Sequence, residues 1–184
     1  QTINTVIHSA AVVKHYGGYD QFEKVNVGGT ESLVEFCRQG NKRFHYISTT
    51  SVSGYYLVDQ NQGQKVFTEN DLYIGQHYYE NVYVRSKFEA ENLILQNMKK
   101  GLNATIHRIG VLAGRYLDGQ FQANINDNAL YNRLRSIIQL GFVQEEYQSL
   151  EIELSPVDYC SRAIILLAGI EESNQHIFHV CNHK

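Results

Sequence analysis

Tyr83-Val84-Arg85-Ser86-Lys87 sets a phenol and an ammonium four residues apart, which in a helix puts them on one face. That pairing has a chemical use. A free tyrosine ionises at about pH 10, too high for ready proton exchange at neutral pH. A lysine charge about 4 Å away, at an effective dielectric of about 20, is worth on the order of 4 kcal/mol. At about 1.4 kcal/mol per unit, such a charge is expected to lower the tyrosine by up to ~3 units. The phenol can then give its proton to an oxygen that gains negative charge as hydride reaches its carbon. A surface helix whose lysine merely covers apolar neighbours carries the same pair. The pair gains weight from Ser48-Thr49-Thr50-Ser51, a hydroxyl cluster at the end of an upstream apolar run. A hydroxyl there can share the substrate oxygen with Tyr83, although such clusters also serve turns and caps.

The elements that must position these residues follow from apolar periodicity. Residues 5–9, within Thr5-Val6-Ile7-His8-Ser9-Ala10-Ala11, read as a buried strand that stops where something approaches the backbone. Phe22, Val25, Leu33, Phe36 and Cys37 recur at helical spacing, predicting a helix over 20–38 closed by Gly40. A second strand, over 44–48, runs into the hydroxyl cluster. Residues 54–80 are polar and tyrosine-rich, as expected of a loop beside a site. Phe88, Leu93, Leu95 and Met98 mark a helix over 81–100, stopped by Gly101. A third strand covers 104–109 and ends at Gly110. An amphipathic helix over 128–140 is closed by Gly141, and residues 151–154 read as a short strand. Pro156 suits the start of the next helix, whose apolar centre is 163–168, and the last strand is 176–180. Strands alternating with helices predict βαβ units and a parallel sheet.

Composition narrows the classes. A hydrophobic share of 43% and a charged share of 19% are those of a soluble globular protein. A net charge of −3 gives no electrostatic reason to expect nucleic acid. No apolar run approaches the roughly 18–20 residues that a membrane helix needs. Cys37, Cys160 and Cys181 fit neither a zinc spacing nor a disulfide framework, so buried thiols in a reducing, cytoplasmic compartment are expected. His176 and His179 lie three apart in a strand-like run, where their side chains face opposite ways, and no metal site is expected from them. A dinucleotide-binding sheet normally opens with a glycine-rich turn that holds the pyrophosphate. No G-x-G-x-x-G or G-x-x-G-x-x-G run occurs; Gly110 and Gly114 come nearest but lie too late.

Five segments, in order and at matching spacing, resemble the extended short-chain dehydrogenase/reductases. Val6-Ile7-His8-Ser9-Ala10-Ala11 is similar to the strand end under the cofactor ribose, and Asn26-Val27-Gly28-Gly29-Thr30 to the central-helix signature. Tyr46 to Gly54 resembles the strand carrying the active-site hydroxyl, and Tyr83 and Lys87 fall on the Tyr-x-x-x-Lys pair. Within that family the likeness is greatest to the terminal thioester reductase domains of nonribosomal peptide synthetases and to carboxylic acid reductases. Asn81 to Glu91, the run from Asn124 to Gly141, and Leu154-Ser155-Pro156-Val157-Asp158-Tyr159 carry it. Sugar-nucleotide epimerases and dehydratases usually show Arg-Pro-x-Asn-Val-Tyr-Gly after the third strand. This chain has Arg108-Ile109-Gly110-Val111-Leu112-Ala113-Gly114 instead.

The resemblance implies a Rossmann-type α/β sheet of which this chain is the central piece. The glycine-rich first half would precede Gln1, and the rest of the substrate region would follow Lys184. Residues 5–114 would then form the catalytic part, 115–150 a substrate-side helical segment, and 151–184 a late strand–helix–strand. It implies catalysis by Thr49, Tyr83 and Lys87, with Ser9, Ala10, Ala11, Ser48, Lys87, Ile109, Gly110 and Val111 against NADPH. The implied reaction reduces an acyl or peptidyl thioester, held by the phosphopantetheine arm of a carrier protein, to an aldehyde and on occasion an alcohol. The alternatives are a nucleotide-sugar epimerase or dehydratase, a ketone or acyl-CoA reductase, and a nonenzymatic cofactor-sensing regulator.

Overall fold

Runs rich in β-branched and aromatic residues suit a pleated surface, and helical runs between them suit crossovers. In the computed structural model, residues 3–54, 58, 59, 63, 64, 66–143, 145 and 152–182 are described. β1 (Thr5–His8) leads to α1 (Tyr19–Phe22), a π-helical segment (Glu23–Gly28) and α2 (Gly29–Gln39). β2 (Arg43–Thr49) follows, then a hairpin of β3 (Val58–Asp59) and β4 (Gly63–Gln64), and α3 (Val82–Met98). The chain continues through β5 (Ala104–Ile109), β6 (Leu112–Ala113), α4 (Ala129–Leu140), β7 (Ser155–Pro156), α5 (Val157–Ala168) and β8 (Ile177–Val180).

The main sheet has the order β1-β2-β5-β8 with every pairing parallel, so the expected α/β architecture is the one observed. Thr49 pairs with Ile109, and Ile109 with Val180, so these strands end level along one edge. That edge is where ligands of open parallel sheets bind. Phe44 and Tyr46 of β2 and Ala104 and Ile106 of β5 pack against Val34 and Cys37 of α2 and Ala90 and Ile94 of α3. Burial of side chains such as Phe44 and Ile94 contributes about 1.5–3 kcal/mol each, which fixes α3 on the sheet. Cys37 and Cys160 are buried and Cys181 is half-buried, all as free thiols.

Several expectations are corrected. The helix expected over 20–38 is not one continuous α-helix, because Glu23–Gly28 is π-helical. A π turn takes in one extra residue and advances the phase of everything after it. The buried positions therefore run Phe22, Asn26, Thr30, Val34, Cys37, while Val25 and Phe36 are exposed. The expected loop over 54–80 contains the β3–β4 hairpin. The short strand expected at 151–154 lies one step later, where Ser155 and Pro156 pair with Leu112 and Ala113; residue 151 itself falls outside the described residues. No helix among the described residues is long and apolar enough to cross a membrane.

Candidate active site

Thr49 ends β2 and turns the chain into a short helical turn, its hydroxyl accepting the Ser51 N–H at 3.2 Å. α3 is started by the side chain of Asn81. Its Oδ1 accepts the N–H groups of Tyr83 at 3.0 Å and Val84 at 3.2 Å, satisfying two donors that a helix start leaves free. Tyr83 thus sits in the first turn, with its phenol close enough to the Thr49 side chain for that group to affect its proton affinity. One turn on, Lys87 is 3% exposed. Its Nζ donates to the Ile47 carbonyl at 2.6 Å and lies 4.2 Å from the Tyr46 ring centroid. The structure brings Thr49, Tyr83 and Lys87 together at the C-terminal end of β2.

The direction of proton affinity differs from the sequence expectation. Burial pushes the Tyr83 phenol up to about 12, and the nearby Thr49 side chain offsets only part of this. Burial likewise pushes the Lys87 ammonium down to about 7, against the opposing pull of Glu91. Lys87 thus supplies less charge to its neighbour than an exposed lysine would. Desolvation of both groups outweighs the coupling that four-residue spacing suggested.

Other buried polar side chains lock this arrangement. Asn26, turned inward by the π segment, holds both backbone groups of Val12 (2.8 and 3.0 Å) and donates to the Ser86 hydroxyl at 2.8 Å. Ser86 in turn donates to the Tyr83 carbonyl at 2.8 Å. The segment after β1 is thereby tied to the first turns of α3. Below Lys87, Glu91 takes a bidentate pair from Arg108, whose Nη2 is 2.8 Å from Oε2. Arg108 also donates to the Thr68 and Asp71 carbonyls and meets His179 of β8 at 3.2 Å. His179 is thus engaged with Arg108, while His176 is bonded to the Asn174 carbonyl.

The residues expected against a cofactor line the same sheet edge. Ser9 and Ala10 are exposed just beyond β1, with Ala11 half-buried beside them. The Ser48 hydroxyl is buried without a hydrogen-bond partner among the described residues. Ile109 is buried, and its carbonyl accepts from the Thr50 hydroxyl. Glu153 lies against Gly110–Val111, its Oε2 accepting the Val111 N–H at 2.6 Å. An open rim of backbone with an orphaned buried hydroxyl fits a polar ligand laid across the strand ends. A groove of about 670 Å³ lies elsewhere, over the outer side of α3; Tyr78 and Phe88, stacked at 3.8 Å, form part of its wall, and none of the three site residues lines it.

Sequence reasoning gave no separate role to His15, Asn81 or Glu153. Asn81 carried a readable signal, an Asn directly before a helical run. His15 and Glu153 carried none, since each reaches the site through chain folding rather than local spacing.

A parallel sheet with a Tyr–Lys helix at its C-terminal edge is the frame of the extended short-chain dehydrogenase/reductases. The NAD-binding family described as male sterility protein matches residues 1–164, and the chain belongs to it. The glycine betaine reductase ATRR of Emericella nidulans is 28% identical over 98% of this chain, which spans 14% of that protein. A thiolation-reductase di-domain from an archaeal non-ribosomal peptide synthetase is 39% identical, with a TM-score of 0.87 over 98% of this chain and 38% of that one. The aureusimine biosynthetic cluster reductase domain is 30% identical, with a TM-score of 0.84 over all of this chain and 48% of that one. The chain therefore spans less than half the length of these relatives.

Proposed function

We propose that this chain carries the reacting centre of an NADPH-dependent reductase that acts on an acyl or peptidyl thioester held by a carrier protein. The observation that carries the reading is the convergence of the Thr49 and Tyr83 side chains beside a buried Lys87 at the sheet edge. The likeness to a thiolation-reductase di-domain at 39% identity favours a thioester over a nucleotide sugar. Residues 5–114 form the catalytic part, 115–150 the substrate-side segment and 151–184 the late strand–helix–strand. The free thiols fit a cytoplasmic protein.

Ser9, Ala10, Ala11, Ser48, Lys87, Ile109, Gly110 and Val111 hold the cofactor along the strand ends. When bound, the nicotinamide supplies the hydride. Thr49 and Tyr83 bind the thioester carbonyl oxygen and stabilise the negative charge it gains. Burial keeps Tyr83 protonated across the neutral range, so its proton is present for that oxygen. The resulting hemithioacetal loses the pantetheine thiol as its C–S bond breaks, leaving an aldehyde; a second hydride can carry that aldehyde to an alcohol.

The test uses the full-length protein. Carrier-loaded acyl thioester should consume NADPH and release aldehyde or alcohol. Tyr83→Phe removes the proton donor but keeps the ring, so turnover should fall by roughly 10²–10⁴-fold with cofactor affinity little changed. Unimpaired turnover by Tyr83→Phe would reject the mechanism. NADPH oxidation that needs no thioester, or turnover of a nucleotide sugar, would reject the substrate.

A further inference from the structure

His15 lies in the segment between β1 and α1, far in sequence from Tyr83, yet the two rings meet edge to face with centroids 5.3 Å apart at 67°. The imidazole is also bonded to the residue that starts the catalytic helix. Asn81 Nδ2 is 3.2 Å from His15 Nδ1. The orientation of that amide is fixed from the other side, because its Oδ1 accepts the N–H groups of Tyr83 and Val84. Flipping it would forfeit both cap bonds. The amino group therefore points at His15, whose Nδ1 must accept, and the ring proton resides on Nε2. Nε2 has no partner among the described residues, and His15 is exposed.

We propose that His15 is a substrate-positioning residue, whose Nε2–H binds an amide carbonyl adjacent to the thioester that Tyr83 and Thr49 hold. This inference rests on the thioester reading above. A single oriented N–H donor beside the proton-giving phenol suits a single carbonyl acceptor. A carrier-bound thioester offers amide carbonyls on both sides: one in the pantetheine arm beyond a two-carbon spacer from sulfur, the other in a peptidyl chain next to the reacting carbonyl.

Steady-state kinetics on the full-length protein separate these sources with three substrates. The first is a simple acyl thioester of N-acetylcysteamine, with an amide on the leaving side only. The second is an S-ethyl thioester of an N-acetylamino acid, with an amide on the acyl side only. The third is an S-ethyl thioester of the simple acyl group, with neither. His15→Phe keeps a ring against Tyr83 and removes the donor. It should lower kcat/KM about tenfold, the worth of one hydrogen bond, on the substrate bearing the bound amide. The substrate with no amide should be unaffected. His15→Gln, which returns an N–H donor, should recover most of the loss, and cofactor affinity should be unchanged in both variants. Equal loss on all three substrates, or no loss on any, would overturn the proposal. Wild-type protein that reduces none of the three would sink the thioester reading, and this inference with it.

Discussion

Lys87 ends a four-carbon chain inside the protein, its nitrogen bonded to one carbonyl and facing one aromatic ring. Neither partner carries a formal charge, so desolvation prevails over the attraction of Glu91 and the folded pKa falls from 10.5 to about 7. The sign of the consequence follows from proton linkage. Below about 7 both folded and unfolded chains hold the proton, and the folded state bears the whole cost of a buried ammonium. Between about 7 and 10.5 the unfolded chain holds more protons, so stability rises with pH, by at most about 1.4 kcal/mol per unit. Tyr83, raised from 10.0 to about 12, acts with the opposite sign and only above pH 10. Urea unfolding at pH 7 and pH 9 should therefore show wild-type protein gaining stability relative to Lys87→Met. Equal pH dependence in the two proteins would mean that the lysine is ionised throughout. Spacing alone named Tyr83 and Lys87 as neighbours on a helix face. It did not reveal that Lys87 is buried and Tyr83 half-buried, and desolvation decides their proton affinities.

α3 depends on the residue that caps its start more than its apolar positions suggested. Phe88 is buried, but the innermost face also carries Ser86, Lys87 and Glu91. Such a face gives a weak apolar period; Phe88, Leu93, Leu95 and Met98 with the stop at Gly101 made the helix legible, and the Asn81 cap is a further signal that the sequence reading did not use. Asn81→Ala should cost about 1 kcal/mol of stability, the usual worth of an N-cap. Asn81→Asp keeps a capping oxygen and should stay within a few tenths of wild type in thermal or urea unfolding. If both variants lose stability alike, the amide is needed for its bond to His15 rather than for the cap. The π segment marks the opposite limit of legibility. Phe22, Val25, Leu33 and Phe36 fit a regular helix of about 3.6 residues per turn, and nothing local says that a residue is to be added. The added residue is explained by Asn26, whose side chain must reach Val12 and Ser86 at once. That demand comes from tertiary structure, which a single helical run does not display.

At the scale of the whole molecule, parallel strands gather the chemistry at one edge while a buried ion pair fastens the layers behind it. The parallel direction of the strands was legible because apolar runs alternate with helices and ends are punctuated by glycine. The fastening was not, since Glu91 and Arg108 are seventeen residues apart and no local spacing pairs them. Both side chains are fully buried. Arg108 belongs to β5 and Glu91 to α3, and the remaining guanidinium donors reach the carbonyls of Thr68 and Asp71, with the Phe67 ring 4.7 Å away and His179 of β8 alongside. Four separate stretches of chain thus meet on one guanidinium, among them the stretch that leads into Tyr83. Removing one partner leaves the other charge buried without compensation, which typically costs about 3–5 kcal/mol. Set against the roughly 5–15 kcal/mol that stabilises a folded protein, this is a large share. Glu91→Gln and Arg108→Met should each lower the urea midpoint steeply. The double variant Glu91→Leu/Arg108→Met, which removes both charges and fills the space with apolar atoms, should recover a substantial part of the loss. Single variants as stable as wild type would show that the pair does not hold these layers together. A double variant that merely sums the two losses would show that the carbonyl contacts of Arg108, rather than its pairing with Glu91, fix the stretch before the catalytic helix.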